Sequence, residues 1–303
     1  MNDYIQDSLK NCTLCPRECG VNRQAGQIGV CGAGREIIAA RAALHMWEEP
    51  CVSGEKGSGT VFFSGCSLRC IFCQNREIAR MNAGKEITIE RLSEIFLELQ
   101  QKGAANINLV TACHYVPQVI TALDLAKSKG LTLPIVYNSG GYEKVETLKM
   151  LEGYVDIYLP DYKYTDATLA KNFSTAPDYP KVALKAIKEM VRQTGECKFN
   201  EDGYLQKGTI VRHLILPAHT HQSKNALSQL YKTFGNTIYI SIMNQYTPIH
   251  NIPSYPELNR CVTPREYEKV LDHALTLGIT NAFIQEGSTA SESFIPQFDC
   301  EGI

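Results

Sequence analysis

Nowhere in the 303 residues does an apolar run approach the roughly 20 residues that a membrane-spanning helix needs, so no spanning segment is expected. The opening MNDYIQDSLKN lacks both a basic stretch and an apolar core, which argues against a secretory signal and for a cytoplasmic protein. Neither sign of charge is in excess. The net charge of −2 leaves no overall basic field for a phosphate backbone, and neither nucleic acid nor a membrane is expected as a partner. Internal repeats, heptad arrays and low-complexity tracts are also missing. With 44% hydrophobic and 20% charged residues the composition is that of a globular chain, long enough for one large or two ordinary domains.

Cysteine, by contrast, is plentiful, with twelve residues in a chain for which no export signal is expected. In a reducing compartment such sulfurs serve as metal ligands or redox groups more often than as disulfides. Seven fall into two groups, Cys12, Cys15, Cys19 and Cys31, then Cys66, Cys70 and Cys73. Cys51, Cys113, Cys197, Cys261 and Cys300 are scattered.

From residue 59 the chain alternates strand-like and helix-like segments, the rhythm of βα units. The predicted strands are TVFFS (60–64), NINLVT (106–111), PIVYN (134–138), VDIYLP (155–160), TIVRHLILP (209–217) and TIYISIM (237–243), with a short seventh at NAFIQ (281–285). Most are β-branched with little alternation, as in a parallel sheet covered on both faces. Between them, 87–103 spaces Ile89, Leu92, Ile95, Phe96 and Leu99 on one helical face, and helical patterns recur near 116–130, 143–153, 167–173, 181–193, 223–235 and 263–278. The polar stretch 195–208 reads as an exposed loop. Residues 1–58 do not share the rhythm and are expected as a Cys-rich extension, with a strand or hairpin near 35–44. The expectation is an α/β fold, a partial (β/α)6 TIM-like barrel over 59–290, with a tail at 291–303.

Cys66-x3-Cys70-x2-Cys73 follows the first of these strands, at the end where parallel α/β folds place their chemistry. Three thiolates on one loop can hold three irons of a [4Fe-4S] cluster and leave the fourth open. A zinc ribbon built from Cys12-x2-Cys15 and Cys70-x2-Cys73 is the rival. It would span 54 intervening residues, where ribbons have roughly 15 to 20, and would leave Cys66 unused. Buried structural cysteines are the remaining alternative, and the polar flanks Ser67, Arg69, Gln74 and Asn75 suit it poorly.

The CxxxCxxC spacing with Phe72 before the third cysteine resembles the signature of the radical S-adenosylmethionine (radical SAM) enzymes. GCSLRCIFCQN is similar to the pyruvate formate-lyase activating enzyme group among them, and CTLCPRECGVNR (12–23) resembles the N-terminal segment of an activase-like subgroup. The resemblance implies a [4Fe-4S] cluster on Cys66, Cys70 and Cys73. It implies S-adenosylmethionine on the open iron, reductive cleavage to a 5′-deoxyadenosyl radical, and hydrogen abstraction from a substrate. It further implies an electron donor of the flavodoxin or ferredoxin kind, and a glycyl radical enzyme or another protein or peptide as partner. Phe72 would pack by the adenine and Asn75 would brace the loop. Matching strand ends adds Asn138 and Ser139 in YNSGG, Asp161 and Lys163 in LPDYKY, and Arg212 in IVRHL as cofactor contacts. His213, by alternation, should face away. Gln245, Tyr246, Gln285 and Glu286 also fall at strand ends, toward the substrate side.

The chain departs from that group in one place. Where a GGE-like motif would meet the cofactor's amino group, this sequence reads VTACHYVP, so either Thr111 and backbone carbonyls bind the ammonium or the cofactor sits differently, with Thr111 and His114 as the candidate cofactor contacts here. A lone Cys113 beside a strand suits a small buried residue. Cys12, Cys15, Cys19 and Cys31, set among Gly20, Gly26, Gly29 and Gly32, are a candidate second site for zinc or an auxiliary Fe-S cluster. Three functions stay open: activation of a glycyl radical enzyme, radical modification of a small molecule or peptide, and a non-catalytic zinc-binding scaffold.

Overall fold

The computed structural model describes residues 3–285 and 296–303. Its strands are β1 (Ile37–His45), β2 (Ser58–Phe63), β3 (Lys85–Ile87), β4 (Ile107–Val110), β5 (Ile135–Ser139), β6 (Ile157–Pro160), β7 (Lys198–Phe199), β8 (Leu205–Leu214), β9 (Tyr239–Met243) and β10 (Ala282–Ile284). The sheet runs β10-β9-β8-β6-β5-β4-β2-β1-β3, with β7 attached to β8. Along the path β2-β4-β5-β6-β8-β9-β10 every pairing is parallel, while β3 and β7 pair antiparallel with β1 and β8. Because spatial order follows chain order and each crossover carries a helix, the result is the partial (β/α)6 barrel expected, extended by β10 and open between β10 and β3 among the described residues.

The helices form where the periodicity placed them, and their caps explain the boundaries. Thr88 accepts from the Arg91 N–H at 3.0 Å to start Ile89–Gln101, and Asp166 accepts from the Leu169 N–H at 2.8 Å to start Ala167–Ser174. Pro264–Leu277 opens on a reciprocal pair between Thr263 and Glu266. Leu92, Ile95, Phe96 and Leu99 pack against Ile107, Leu109, Ile135 and Tyr137 in one apolar core. A second core joins Phe173, Tyr179, Ala183 and Ile187 to Val211, Ile240 and Ile242.

Three features differ from the sequence reading. The 195–208 stretch is a hairpin rather than a plain loop. β7 pairs antiparallel with β8, which begins at Leu205 because that side chain is buried against Ile157 and Ile210, while the Asn200 side chain accepts from the Tyr204 N–H at 2.8 Å to close the turn. The 1–58 segment, for its part, is built into the barrel. β1 pairs antiparallel with β2, and the short helix Pro50–Ser53 puts Cys51 and Val52 against Val136, Ile157, Leu159 and Ile210, on the inner face of the sheet. Asn106 holds that plug, donating to the Val52 carbonyl at 2.7 Å. Lys85–Ile87 is a further strand that the sequence pattern did not mark.

Candidate active site

At the end of β2 the chain turns sharply. Gly65 has φ +102°, and a β-carbon there would stand 2.9 Å from the Cys31 carbonyl oxygen and from His114 Nε2. The turn opens a loop fixed by backbone bonds to three neighbours: Gly65 N–H to Ile78 O at 2.8 Å, Cys66 N–H to Cys31 O at 3.1 Å, and Ile71 N–H to Phe173 O at 2.8 Å. The Cys66 sulfur accepts from the Leu68 N–H at 3.4 Å, and Cys70 Sγ lies 2.9 Å from Ser174 Oγ. Arg17, from the extension, donates to the Ser67 carbonyl at 2.8 Å and the Thr175 carbonyl at 2.7 Å, and its guanidinium sits over the Tyr142 ring.

The loop faces a cavity of about 240 Å³, and Cys66, Cys70, Cys73, Phe72 and Asn75 all line it. Thr111, Asn138, Ser139, Asp161, Lys163 and Arg212 form the opposite wall, with Gln245 and Tyr246 at its edge. Phe72 meets Phe173 and Tyr246 edge-on at ring separations of 6.3 and 6.0 Å. Asn75 Oδ1 is buried and meets no hydrogen-bond donor. His114 is not in the lining: it is 2% exposed, behind Gly65, with Nε2 2.8 Å from the Ser64 carbonyl. Cys113 is buried beneath the loop. Gln285 donates to Gln245 Oε1 at 2.9 Å, behind the edge, and Glu286 lies outside the described residues.

Arg212 organises the polar wall. Its Nε donates to Asp161 Oδ1 at 3.1 Å, Nη1 to Glu48 Oε2 at 3.1 Å and Nη2 to Asn138 Oδ1 at 2.5 Å. Lys163 pairs with the other Asp161 oxygen. Burial alone would raise Asp161, but the Lys163 and Arg212 cations outweigh it and hold the carboxyl below the usual range. Burial would lower Lys163, and the charges of Asp161 and Cys70 reverse that and raise it. His45, also in the lining, is pushed down to about 4 by burial and by the Arg212 and Arg41 charges, so it is neutral at physiological pH. His213 points the other way, as alternation requires, with Nδ1–H donating to the Tyr162 carbonyl at 2.7 Å.

Sequence reasoning missed Glu48, His45 and Trp47, which come from the end of β1 and the turn after it and line the same cavity. Glu48 is 164 residues from Arg212 in sequence. It belongs to no motif, and only the plug that follows it carries it into the barrel.

Burial pushes the Cys70 thiol up, and pushes Cys73 up to about 12 with the neighbouring sulfurs adding to it, so these sulfurs ionise only against a strong positive charge. Three sulfur donors on one wall and two cation–carboxylate pairs on the other fit a cluster with a zwitterionic ligand. Among the described residues no three His, Cys, Asp or Glu side chains are gathered as a ready-made site for a single ion. That holds for the N-terminal set too. Cys12, Cys15 and Cys31 are buried, Cys19 Sγ lies 4.0 Å from the Cys12 carbonyl, and a β-carbon at Gly29 would stand 3.0 Å from the Cys19 sulfur and 3.8 Å from the Cys31 sulfur.

Comparison with known proteins agrees with this geometry. Residues 60–204 match the family described as the Radical SAM superfamily. An uncharacterised protein of Methanocaldococcus jannaschii is 28% identical over 280 residues, covering 90% of this chain and 76% of that one. The pyruvate formate-lyase-activating enzyme of Clostridium pasteurianum is 26% identical over 224 residues, covering 69% of this chain and 82% of that one. Among solved structures, SuiB of Streptococcus suis bound to S-adenosylmethionine superimposes with a TM-score of 0.48 at 13% identity over 73% of this chain, which spans about half of SuiB (48%). Residues 60–204 thus carry a radical SAM domain, and a protein named as an activase is among the chain's relatives. No described helix is long and apolar enough to cross a membrane.

Proposed function

We propose that the chain is a radical SAM activase, which takes a hydrogen atom from a glycine of a partner enzyme. One observation carries the reading: Cys66, Cys70 and Cys73 share a single cavity with the Asp161–Lys163–Arg212 wall. A [4Fe-4S] cluster on these thiolates, with S-adenosylmethionine on its open iron, supplies one-electron cleavage of a carbon–sulfur bond to methionine and a 5′-deoxyadenosyl radical, the electron coming from a flavodoxin or ferredoxin.

The protein's own share is placement. Phe72 offers an apolar ring edge beside the cluster loop, Asn138 and Ser139 offer amide and hydroxyl contacts, and Arg212 and Lys163 supply cations for the ligand's carboxylate. Tyr246, Phe173 and Leu68 exclude water around the sulfurs. The relative named as a pyruvate formate-lyase-activating enzyme supports the partner class.

The test is anaerobic incubation of the loaded protein with S-adenosylmethionine, a low-potential reductant and a purified glycyl radical enzyme. A glycine-centred electron paramagnetic resonance signal on the partner is expected. Release of 5′-deoxyadenosine without that signal, but with a modified peptide or metabolite, would replace the activase reading by the small-substrate one.

A further inference from the structure

The cavity wall holds two cations and two carboxylates, and the carboxylates are used differently. Both Asp161 oxygens face cations, Oδ1 the Arg212 guanidinium and Oδ2 the Lys163 ammonium. Glu48 shares Arg212 with Asp161 through Oε2 and otherwise meets two neutral amides, Asn108 Nδ2 at 2.9 Å and Asn138 Nδ2 at 3.1 Å, both on Oε1. A carboxylate offers about four lone-pair sites, so Oε2 keeps acceptor capacity. Glu48 is therefore the less neutralised of the two acids lining the cavity.

Its position is fixed from several directions. Asn108, Asn138 and Arg212 belong to β4, β5 and β8, so three strands aim donors at this one side chain, which is only 8% exposed. Below it the Pro50–Ser53 plug anchors the backbone in the barrel interior. Its one cation, Arg212, is shared with Asp161, so a second cation at the cavity side of Glu48 would complete the neutralisation of this part-buried anion. β4 itself ends at Val110, and Thr111 and Ala112 directly after it bring no acid to the cavity.

We infer that Glu48 receives the ammonium of the cofactor's methionyl end, an acid delivered by the extension in place of one from the loop after β4. This rests on the proposed function, since it takes S-adenosylmethionine as the ligand. The 37–53 segment is then part of the binding site, which explains why it is threaded into the barrel.

The test is equilibrium dialysis of the anaerobically reconstituted, unreduced holoprotein against S-adenosylmethionine and against an analogue with hydrogen in place of the amino group. Iron content and circular dichroism serve as controls. Glu48→Gln should weaken S-adenosylmethionine binding about 10- to 100-fold, the range for losing a charge-assisted contact, and leave analogue binding nearly unchanged. Glu48→Asp, which keeps the charge, should recover part of the loss and covers the case in which the amide variant misfolds. Equal weakening of both ligands, or of neither, would overturn the assignment. If the wild-type holoprotein with a full complement of iron binds neither ligand, the proposed function fails, and this inference falls with it.

Discussion

The backbone N–H of Cys66 donates to the carbonyl of Cys31 at 3.1 Å, so the first cysteine of the cluster loop hangs on the last cysteine of the N-terminal set. The contact is close because Gly65, at φ +102°, leaves no β-carbon between them. Gly65→Ala would push a methyl to 2.9 Å from that carbonyl in a backbone region that side chains avoid, a strain on the order of 1–3 kcal/mol. The variant should fold less stably and take up less iron on reconstitution, read by iron analysis and visible absorbance. Normal iron uptake would contradict the role given to this turn.

Arg17 joins the extension to both the cluster loop and the turn at Ser174–Thr175, through contacts at 2.7–3.3 Å. Arg17→Ala should lower stability to denaturant by about 1–3 kcal/mol. Arg17→Lys should recover little, because a single ammonium cannot span the Ser67 and Thr175 carbonyls. Full recovery by lysine would mean that charge alone matters.

Ser174 lies between Cys70 Sγ at 2.9 Å and the Tyr164 hydroxyl at 2.8 Å. With Cys70 ligating iron as a thiolate, the serine must donate to it. Such a bond stabilises the more negative, reduced cluster. Ser174→Ala should therefore make the cluster's midpoint potential more negative in a redox titration. An unchanged or more positive midpoint would contradict the contact.

Burial pushes His213 down to about 4, whereas an exposed histidine titrates near 6.5. The unfolded chain thus binds a proton that the folded chain refuses. Stability from this group is complete above pH 6.5 and is lost as pH falls toward 4, by up to about 3 kcal/mol. His213→Asn keeps a side-chain N–H for the Tyr162 carbonyl and removes the titration. Melting temperature should then fall less steeply between pH 6.5 and 4 than in the wild type. Parallel profiles would show that His213 is not the group.

The strands and their parallel order were legible because each is a short β-branched run followed by an amphipathic helix. The cysteine loop was legible because three metal-ligating residues sit in eight positions. That Asn138, Asp161 and Arg212 line one cavity was legible because parallel strands bring their ends to one mouth. Glu48 was not, since its place depends on the Pro50–Ser53 plug entering the barrel, a tertiary event with no local pattern. β3 and the 198–205 hairpin were missed for a related reason: two or three residues are too few to show a period, and pairing partners decide their state. His114 stands where the absent GGE-like motif would be, yet it turns behind Gly65, where the Ser64 carbonyl meets its ring nitrogen.

The most direct measurement is 5′-deoxyadenosine formation from S-adenosylmethionine and a strong one-electron reductant by the anaerobically reconstituted protein, with Cys66→Ala and Cys70→Ala beside it. Product from the wild type and none from either variant is the predicted result. Full product from either variant, or colourless wild-type protein that holds zinc and no iron, would contradict the assignment of Cys66, Cys70 and Cys73 as cluster ligands.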